Sequence, residues 1–208
     1  MHNNHVIWHN VQIDRSDRNR LNRHLSGLVW LTGLSASGKS TIAHEVEKRL
    51  FDRSIRTYVL DGDNVRHGIN SNLTFSREDR KENLRRIVEV SKLFVDAGIL
   101  VLAAFISPYR EDRAYIRSRF ADDNFLEIYV KCAVEECEQR DPKGQYKKAR
   151  AGIIKNYTGI SSPYEEPENP HLLLDTEKLD LNSSVANILD LLERHEFIEI
   201  QRDPPDEP

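Results

Sequence analysis

Gly33-Leu34-Ser35-Ala36-Ser37-Gly38-Lys39-Ser40-Thr41 decides how this chain folds. The apolar run Leu28-Val29-Trp30-Leu31 precedes it, and a helix-like segment from Ile42 to Leu50 follows. A strand, a glycine-rich turn ending in Lys and Ser, and a helix together satisfy the phosphate-binding pattern GxxxxGK[ST]. Gly33 and Gly38 let the backbone curl until successive N–H groups point at phosphate oxygens. The helix adds the positive end of its dipole. Lys39 reaches the β- and γ-phosphates, and the Ser40 hydroxyl is placed to ligate Mg²⁺. The stretch predicts a nucleoside triphosphate held at the end of a strand.

Working outward, the chain has 208 residues, enough for one domain with a substantial core. A charged fraction of 31% and an apolar fraction of 38% describe a soluble globular protein. The net charge of −4 provides no global field for nucleic acid. Cys132 and Cys137 match neither a metal clip nor a disulfide framework, which fits a reducing compartment. No apolar run is long enough to span a bilayer, and Met1–His9 lacks the charged start and apolar core of a secretion signal. A cytoplasmic location is expected. His2, His5 and His9 lack supporting cysteines or carboxylates, so residues 1–27 are expected to be an arm leading into a short helix. Val6-Ile7-Trp8 is expected to pack on the body or on a partner.

From Leu28 onward strands alternate with helices. Strands are predicted at Leu28–Leu31, Thr57–Leu60, Ile99–Ala104, Phe125–Val130 and Leu172–Leu174. Helices are predicted over Lys39–Leu50, from an N-cap at Ser76 to a stop at Gly98, over Val134–Arg140 and over Ser183–His195. Ser76 and Asp79 have the spacing of a capping box, and Pro108 is suited to open a further helix in its first turn. This pattern implies a parallel sheet of five strands covered on both faces, with ligands beyond the carboxyl ends of the strands. Residues 33–41, 61–68 and 105–110 all fall at such ends. Residues 141–170 are Lys-, Gly- and Pro-rich and too long for an idle connection, so a mobile lid is expected there. The tail Gln201–Pro208 reads as disordered.

Asp61 and Asp63 end the second strand beside the phosphate loop. One is suited to hold Mg²⁺ and the other to take a proton from an attacking hydroxyl; Asp63 is the better base candidate and Asp61 the better orienting group. Arg66 and Arg80 are suited to capture an anionic acceptor, although most arginines near residues 76–97 alternate with acids and are expected to be solvated. Phe75 and Tyr157 lie in polar stretches where an aromatic ring can stack on a base.

Five further blocks carry a resemblance. Leu60-Asp61-Gly62-Asp63-Asn64-Val65-Arg66-His67-Gly68, Phe75–Asn83, Phe105-Ile106-Ser107-Pro108-Tyr109-Arg110, Cys137–Gly144 and Lys147–Glu165 resemble, together with the loop at 33–41, the adenylylsulfate kinases. The likeness runs in register from Val6 to Thr176. It implies a P-loop nucleoside triphosphate hydrolase-like α/β three-layer sandwich and transfer of the γ-phosphoryl of ATP to the 3′-hydroxyl of adenosine 5′-phosphosulfate. By resemblance, Gly33, Leu34, Ser35, Ala36, Ser37, Gly38, Lys39, Ser40 and Thr41 hold ATP, with Arg140 against its adenine. Phe75 and Tyr157 sandwich the acceptor's adenine, while Arg66, Arg80 and Asn83 grip its phosphosulfate and ribose side near Ile106 and Ser107. Lys148 approaches from the lid. Ser40 and Asp63 are the expected Mg²⁺ ligands, and Lys39, Asp61, Asp63 and Ser107 the catalytic candidates. Ser107 matches a serine phosphorylated in bacterial relatives, but direct in-line transfer needs only positioning, a metal and a base. A homodimer and a functional link to ATP sulfurylase also follow from the resemblance.

Three positions depart from the family's usual wording. Ala36 stands where glycine is frequent, which is tolerable only at negative φ. Tyr157 replaces phenylalanine, keeping the stacking face and adding a hydroxyl, and Lys155-Asn156 changes the lid. None removes a group the chemistry needs. The competing readings are a kinase of another small anionic metabolite, a slowly hydrolysing nucleotide switch, and a non-catalytic nucleotide-binding module.

Overall fold

The structure is a computed structural model that describes residue 7 and residues 9–199. His2, His5, Val6, Trp8 and the tail Gln201–Pro208 lie outside the described residues.

Each strand's apolar residues divide between two faces, and that division sets the layers. The sheet comprises β1 (Gly27–Thr32), β2 (Thr57–Asp61), β3 (Leu100–Ala104), β4 (Phe125–Lys131) and β5 (Leu172–Asp175). All pairings are parallel, in the order β2-β3-β1-β4-β5. From β1, Val29 and Leu31 face α2 (Lys39–Asp52) and α7 (Leu181–Arg194) in one core. Leu28 and Trp30 face α3 (Arg77–Asp96) and α4 (Arg110–Ser118) in the other. This alternation puts β1 wholly inside, as its uninterrupted apolar run predicts. The expected three-layer sandwich with a five-stranded parallel sheet is present.

The order of strands positions the site. From β1 the chain moves outward to β2, returns through β3, and then crosses β1 to build β4 and β5. The sheet reverses its winding around β1, so a crevice opens beyond that strand's carboxyl end. The phosphate loop lies there.

Helix boundaries were legible in the sequence to within a few residues, and the differences have local causes. At α3, Ser76 Oγ accepts from Asp79 N at 3.1 Å, but Asp79 turns its carboxylate to Thr74 N at 2.7 Å, leaving half a capping box. Pro108 lies outside α4, whose N-cap is Tyr109. The cap comes instead from the 141–170 segment: Arg110 N donates to Glu165 Oε2 at 2.8 Å, and Glu165 N donates to Pro108 O at 2.8 Å. The final helix starts at Leu181 because Asp180, rather than a later serine, caps it through Ser183 N.

The short helix expected in the arm is α1 (Arg15–Asn22), capped at Asp14. Arg15 Nε donates to Ser26 Oγ at 2.8 Å, and Asn22 Nδ2 donates to Gly98 O at 2.8 Å, so α1 is fastened to the strands' amino ends. Gly98 has φ 82°, and a Cβ there would lie 2.7 Å from Asn22 Nδ2. Ile7 is exposed and does not pack on the body, in contrast to one expectation for its segment. Residues 141–170 include α6 (Gln145–Arg150), which follows α5 (Val134–Arg140). Despite its polar composition this stretch supplies core residues: Tyr146, Ala149 and Tyr157 form a third core with Leu34, Cys132 and Cys137.

Candidate active site

The loop leaves β1 at Gly33, where φ is 156° and a Cβ would lie 2.3 Å from Val130 O. Only glycine allows β4's backbone to come that close. Gly38, at φ 102°, is the N-cap of α2. Ala36 has φ 60°, so the expectation of a negative angle is overturned: the residue is left-handed despite its methyl group. Ser37 N donates to Leu34 O at 3.2 Å and Ile42 N to Gly38 O at 2.9 Å, which closes the curl at both ends.

Lys39 is buried at the base of this curl. Its Nζ donates to Leu34 O at 2.5 Å and lies 3.4 Å from Ser37 Oγ. Burial pulls its ammonium down to about 8, partly offset by the surrounding Cys137, Asp61 and Asp63. A partly desolvated cation of this kind interacts strongly with an arriving phosphate.

Beside it, Ser40 Oγ donates to Asp61 Oδ2 at 2.5 Å. Asp61 Oδ1 accepts from Asp63 N at 2.9 Å and Asn64 N at 3.3 Å. Burial opposes ionisation of Asp61, but the bonds from Ser40 and the two amides outweigh it and hold the carboxyl below its ordinary value. Asp61 therefore fixes both the loop hydroxyl and the turn after β2. Asp63 is exposed, and its carboxylate meets Lys143 of the 141–170 segment. That contact raises the Lys143 ammonium.

The far side is built on α3 and the turn before it. Arg66 lies 4.3 Å from the Phe75 ring centroid and donates to Leu73 O and Thr74 O, both at 3.2 Å. Arg80 donates through Nε to Phe75 O at 3.0 Å and through Nη2 to Asn156 O at 3.1 Å. Phe75 is thus held upright between two guanidinium groups while its ring stays exposed. Tyr157 is buried edge-on to Tyr146, with its hydroxyl donating to Gln145 Oε1 at 3.3 Å. Asn83 is buried, its Oδ1 accepting from Asn70 Nδ2 at 2.9 Å.

Ser107 ends the turn after β3 at φ 37°, a left-handed angle for a residue with a side chain. Trp30 Nε1 donates to Ser107 Oγ at 3.0 Å, and Ser107 Oγ donates to Thr32 Oγ1 at 2.8 Å. Thr32 Oγ1 in turn donates to Ile106 O at 2.8 Å. Arg113 holds the turn from below, donating to Ser107 O at 2.7 Å and to Glu165 O at 2.5 Å, with its Nε 3.1 Å from Glu127. The Ser107 hydroxyl is engaged by both Trp30 and Thr32.

One cavity of about 1060 Å³ joins these groups. Ser35–Thr41, Asp61, Asp63, Arg66, Phe75, Arg80, Asn83, Ile106, Ser107, Arg140 and Tyr157 all line it. Arg140 donates to Thr176 O at 2.9 Å and Thr176 Oγ1 at 3.2 Å, which places its guanidinium at the end formed by α2 and the β5–α7 connection. Gly33 and Leu34 sit behind the loop and do not line the cavity, and Lys148 is exposed on α6 outside it. The lysines of residues 141–170 that reach the cavity are Lys143 and Lys155, and sequence reasoning gave Lys143 no role. The signal for Lys143 was its place between Pro142 and Gly144, inside the block Cys137–Gly144 that also contains Arg140. Asp112, also missed, reads in sequence as an ordinary acid in a helix's first turn.

A triphosphate loop at one end of the cavity and an aromatic ring between arginines at the other make a site for two substrates. The family model for adenylylsulphate kinase matches residues 25–175. The adenylyl-sulfate kinase of Staphylococcus epidermidis is 55% identical over 195 residues, covering 94% of this chain and 98% of the relative. A solved structure of Mycobacterium tuberculosis APS kinase CysC in complex with AMPPNP and APS has TM-score 0.79 and 48% identity, covering 82% of this chain and 99% of that one. The hexameric APS kinase from Thiobacillus denitrificans has TM-score 0.64 and 30% identity, covering 88% of this chain and 32% of that one. With the loop, the paired carboxylates and the arginine-flanked aromatic in one cavity, and with relatives matched over nearly their whole length, this chain belongs to the adenylylsulfate kinase family.

Proposed function

We propose that this enzyme transfers the γ-phosphoryl of ATP to the 3′-hydroxyl of adenosine 5′-phosphosulfate, giving 3′-phosphoadenylyl sulfate and ADP. The observation that carries the reading is the single cavity that joins the phosphate loop to Phe75, Arg66 and Arg80. ATP would lie over residues 35–41 with its base toward Arg140. The acceptor's base would stack on Phe75 and Tyr157, with its phosphosulfate on the two guanidinium groups.

Lys39 would exchange the Leu34 carbonyl for phosphate oxygens and, with the loop amides, stabilise charge on the transferring group. Ser40 and Asp61 would hold Mg²⁺, because they place a hydroxyl and a carboxylate oxygen side by side. Among the described residues no group of three His, Cys, Asp or Glu side chains forms a metal cage. That donor set suits an ion that takes most of its ligands from phosphate and water. When bound, the ion neutralises charge across the β- and γ-phosphates. The Ser40–Asp61 contact supports giving the metal role to Asp61 in place of Asp63. Asp63 is left as the carboxylate that orients or deprotonates the acceptor hydroxyl, and Lys143 brings the lid to it. Ser107 is inferred to be a framework residue, since its hydroxyl is bonded to Trp30 and Thr32.

The two buried free thiols, Cys132 and Cys137, support a cytoplasmic setting, and among the described residues no helix is long and apolar enough to cross a membrane. The exposed Ile7, Val11 and Ile13 of the arm support pairing with a second copy. Adenylation of sulfate, the ATP sulfurylase reaction, is the chemistry that would supply the acceptor. Mass spectrometry of the product from ATP and adenosine phosphosulfate, with an ADP-coupled assay across other anionic acceptors, tests the activity. A phosphorylated acceptor with matching ADP release is expected. ADP release that ignores the acceptor would overturn the proposal.

A further inference from the structure

Most buried polar groups around the cavity have found partners. Lys39, Asp61, Ser107 and Arg113 all make hydrogen bonds described above. Asp112 is the exception among the buried charged groups that line it; the Ser184 hydroxyl, at the α7 end, is also without a partner. It lines the same cavity, and only 6% of its surface is exposed. Among the described residues its carboxylate makes no hydrogen bond of 3.5 Å or less, and no cationic nitrogen lies within 4.0 Å. Its immediate neighbours Glu111 and Arg113 do find partners: Glu111 pairs with Lys81 at 2.9 Å, and Arg113 with Glu127.

A structural role does not account for this arrangement. Asp112 sits in the first turn of α4, where the helix dipole favours a negative charge. That attraction is smaller than the cost of drawing an unpaired carboxylate largely out of water, its oxygens reaching solvent only through the cavity. Lys81, Arg77 and Arg113 favour its charge from a distance while Glu111 opposes it, and burial dominates, pushing the carboxyl above its ordinary range. A fold has little use for such a group, and a ligand with a hydrogen-bond donor does.

Position identifies the ligand part. Asn83, Leu84, Ser107 and Pro108 line the cavity along with Asp112, at the end away from α7. This is the acceptor end in the reading above, on which the inference rests. A carboxylate repels the acceptor's anionic phosphosulfate, which Arg66 and Arg80 are placed to take. Asp112 must therefore face a neutral N–H or O–H of the nucleoside.

We propose that Asp112 is an acceptor-binding, specificity-determining residue whose carboxylate accepts a hydrogen bond from the nucleoside part of the acceptor. The donor is either the purine amino group or a ribose hydroxyl. Once the acceptor is seated, the bond satisfies the carboxylate and reads the nucleoside.

The test compares wild type, Asp112→Ala and Asp112→Asn by steady-state kinetics with adenosine phosphosulfate, its 6-oxopurine analogue and its 2′-deoxy analogue. Wild-type turnover of the parent acceptor is measured first, and its absence refutes the proposed function itself. Given that turnover, Asp112→Ala should raise KM for the acceptor roughly tenfold or more while KM for ATP stays within about twofold. Asp112→Asn, which keeps an acceptor oxygen, should recover most of the loss. Wild type should also discriminate against one of the two analogues by roughly tenfold, and Asp112→Ala should lose that discrimination. The analogue affected identifies the donor. An unchanged acceptor KM, an equal rise for both substrates, or intact discrimination in Asp112→Ala overturns the assignment. Thermal melting and AMPPNP binding establish that each variant is folded. If the alanine variant does not fold, Asp112→Leu with the same analogues gives the same decision.

Discussion

Ala36 has its amide in the phosphate loop and its backbone at φ 60°, where the methyl group crowds the neighbouring carbonyl. A left-handed L-residue costs roughly 1–2 kcal/mol. Glycine would remove that strain but would add unfolded-chain entropy worth about 0.4–1 kcal/mol. The strain is the larger quantity, so Ala36→Gly should stabilise the protein by somewhat under about 1 kcal/mol, shifting Tm up by about 2–4 °C at most for a chain of this size. Nucleotide affinity should change little, because the amide itself is retained. Thermal melts of the two proteins check this, and a lower Tm for the glycine variant would show that the left-handed alanine carries no strain. Ser107 holds a comparable angle, φ 37°, but there three elements secure it: Trp30 and Thr32 bind the hydroxyl, and Arg113 binds the carbonyl. Ala36 has no side-chain bond to hold it, which makes it the better place to look for strain. Sequence could place an alanine in a loop that often carries glycine, but it could not give the sign of φ, since tertiary packing decides that.

Two strands are fastened at their amino ends by bare imidazole nitrogens. His24 Nε2 accepts from Arg56 N just before β2 at 3.0 Å, with Nδ1 3.0 Å from Leu25 O. His171 Nδ1 accepts from Glu127 N in β4 at 2.9 Å. Protonation would remove either acceptor, and burial lowers both imidazoles below their ordinary 6.5. The unfolded chain then binds more protons than the folded one, so their contribution is full above about 6.5 and is progressively lost as pH falls below that value toward the lowered folded-state pKa. Tm measured between about pH 7.5 and about pH 5.5 should fall, and less so in His24→Gln/His171→Gln, whose amide oxygens accept without titrating. Asp112 and Glu127, both raised by burial, act in the opposite direction, so the decisive quantity is the difference between wild type and variant. An identical pH slope in both proteins would refute the role of the two rings. Elements like these mark the limit of what the sequence made legible. All five strands and the main helices followed from apolar runs and caps, because those signals are local. The cap of α4 by Glu165 and the pairing of Lys143 with Asp63 join residues about 55 and 80 positions apart, which no window along the chain contains. The assignment of Ser40 to Asp61 rather than to Asp63 likewise depended on which way a turn faces.

At the scale of the molecule, residues 141–170 behave as a docked segment with one loose stretch. Tyr146 OH donates to Ser35 O at 3.0 Å, Arg150 pairs with Glu138 at 2.5 Å, Arg80 holds Asn156 O, and Arg113 and Arg110 hold Glu165. Tyr146, Ala149 and Tyr157 are buried in the third core beneath the loop. Between Arg150 and Asn156 no side chain makes a hydrogen bond among the described residues, and Ile153 is 73% exposed. Ile153, Ile154 and Lys155 nevertheless line the cavity. Local opening is easiest where buried contacts are few, so residues 151–155 should move while both flanks stay closed. Hydrogen exchange followed by mass spectrometry at peptide resolution should show the fastest exchange in this stretch, with slow exchange around Tyr146 and Tyr157. The amides of residues 151–154 donate only to carbonyls of the adjoining α6, whereas the flanks are also held by side-chain bonds and buried rings. Adding AMPPNP with adenosine phosphosulfate should therefore slow the 151–155 amides and leave the flanks nearly unchanged. If residues 141–170 exchange and become protected as one unit, the whole segment is a hinged lid and the anchoring bonds are too weak to divide it. If the fast stretch alone responds, gating belongs to the short turn at residues 151–155 beside the cavity, and the rest of the segment is part of its fixed wall.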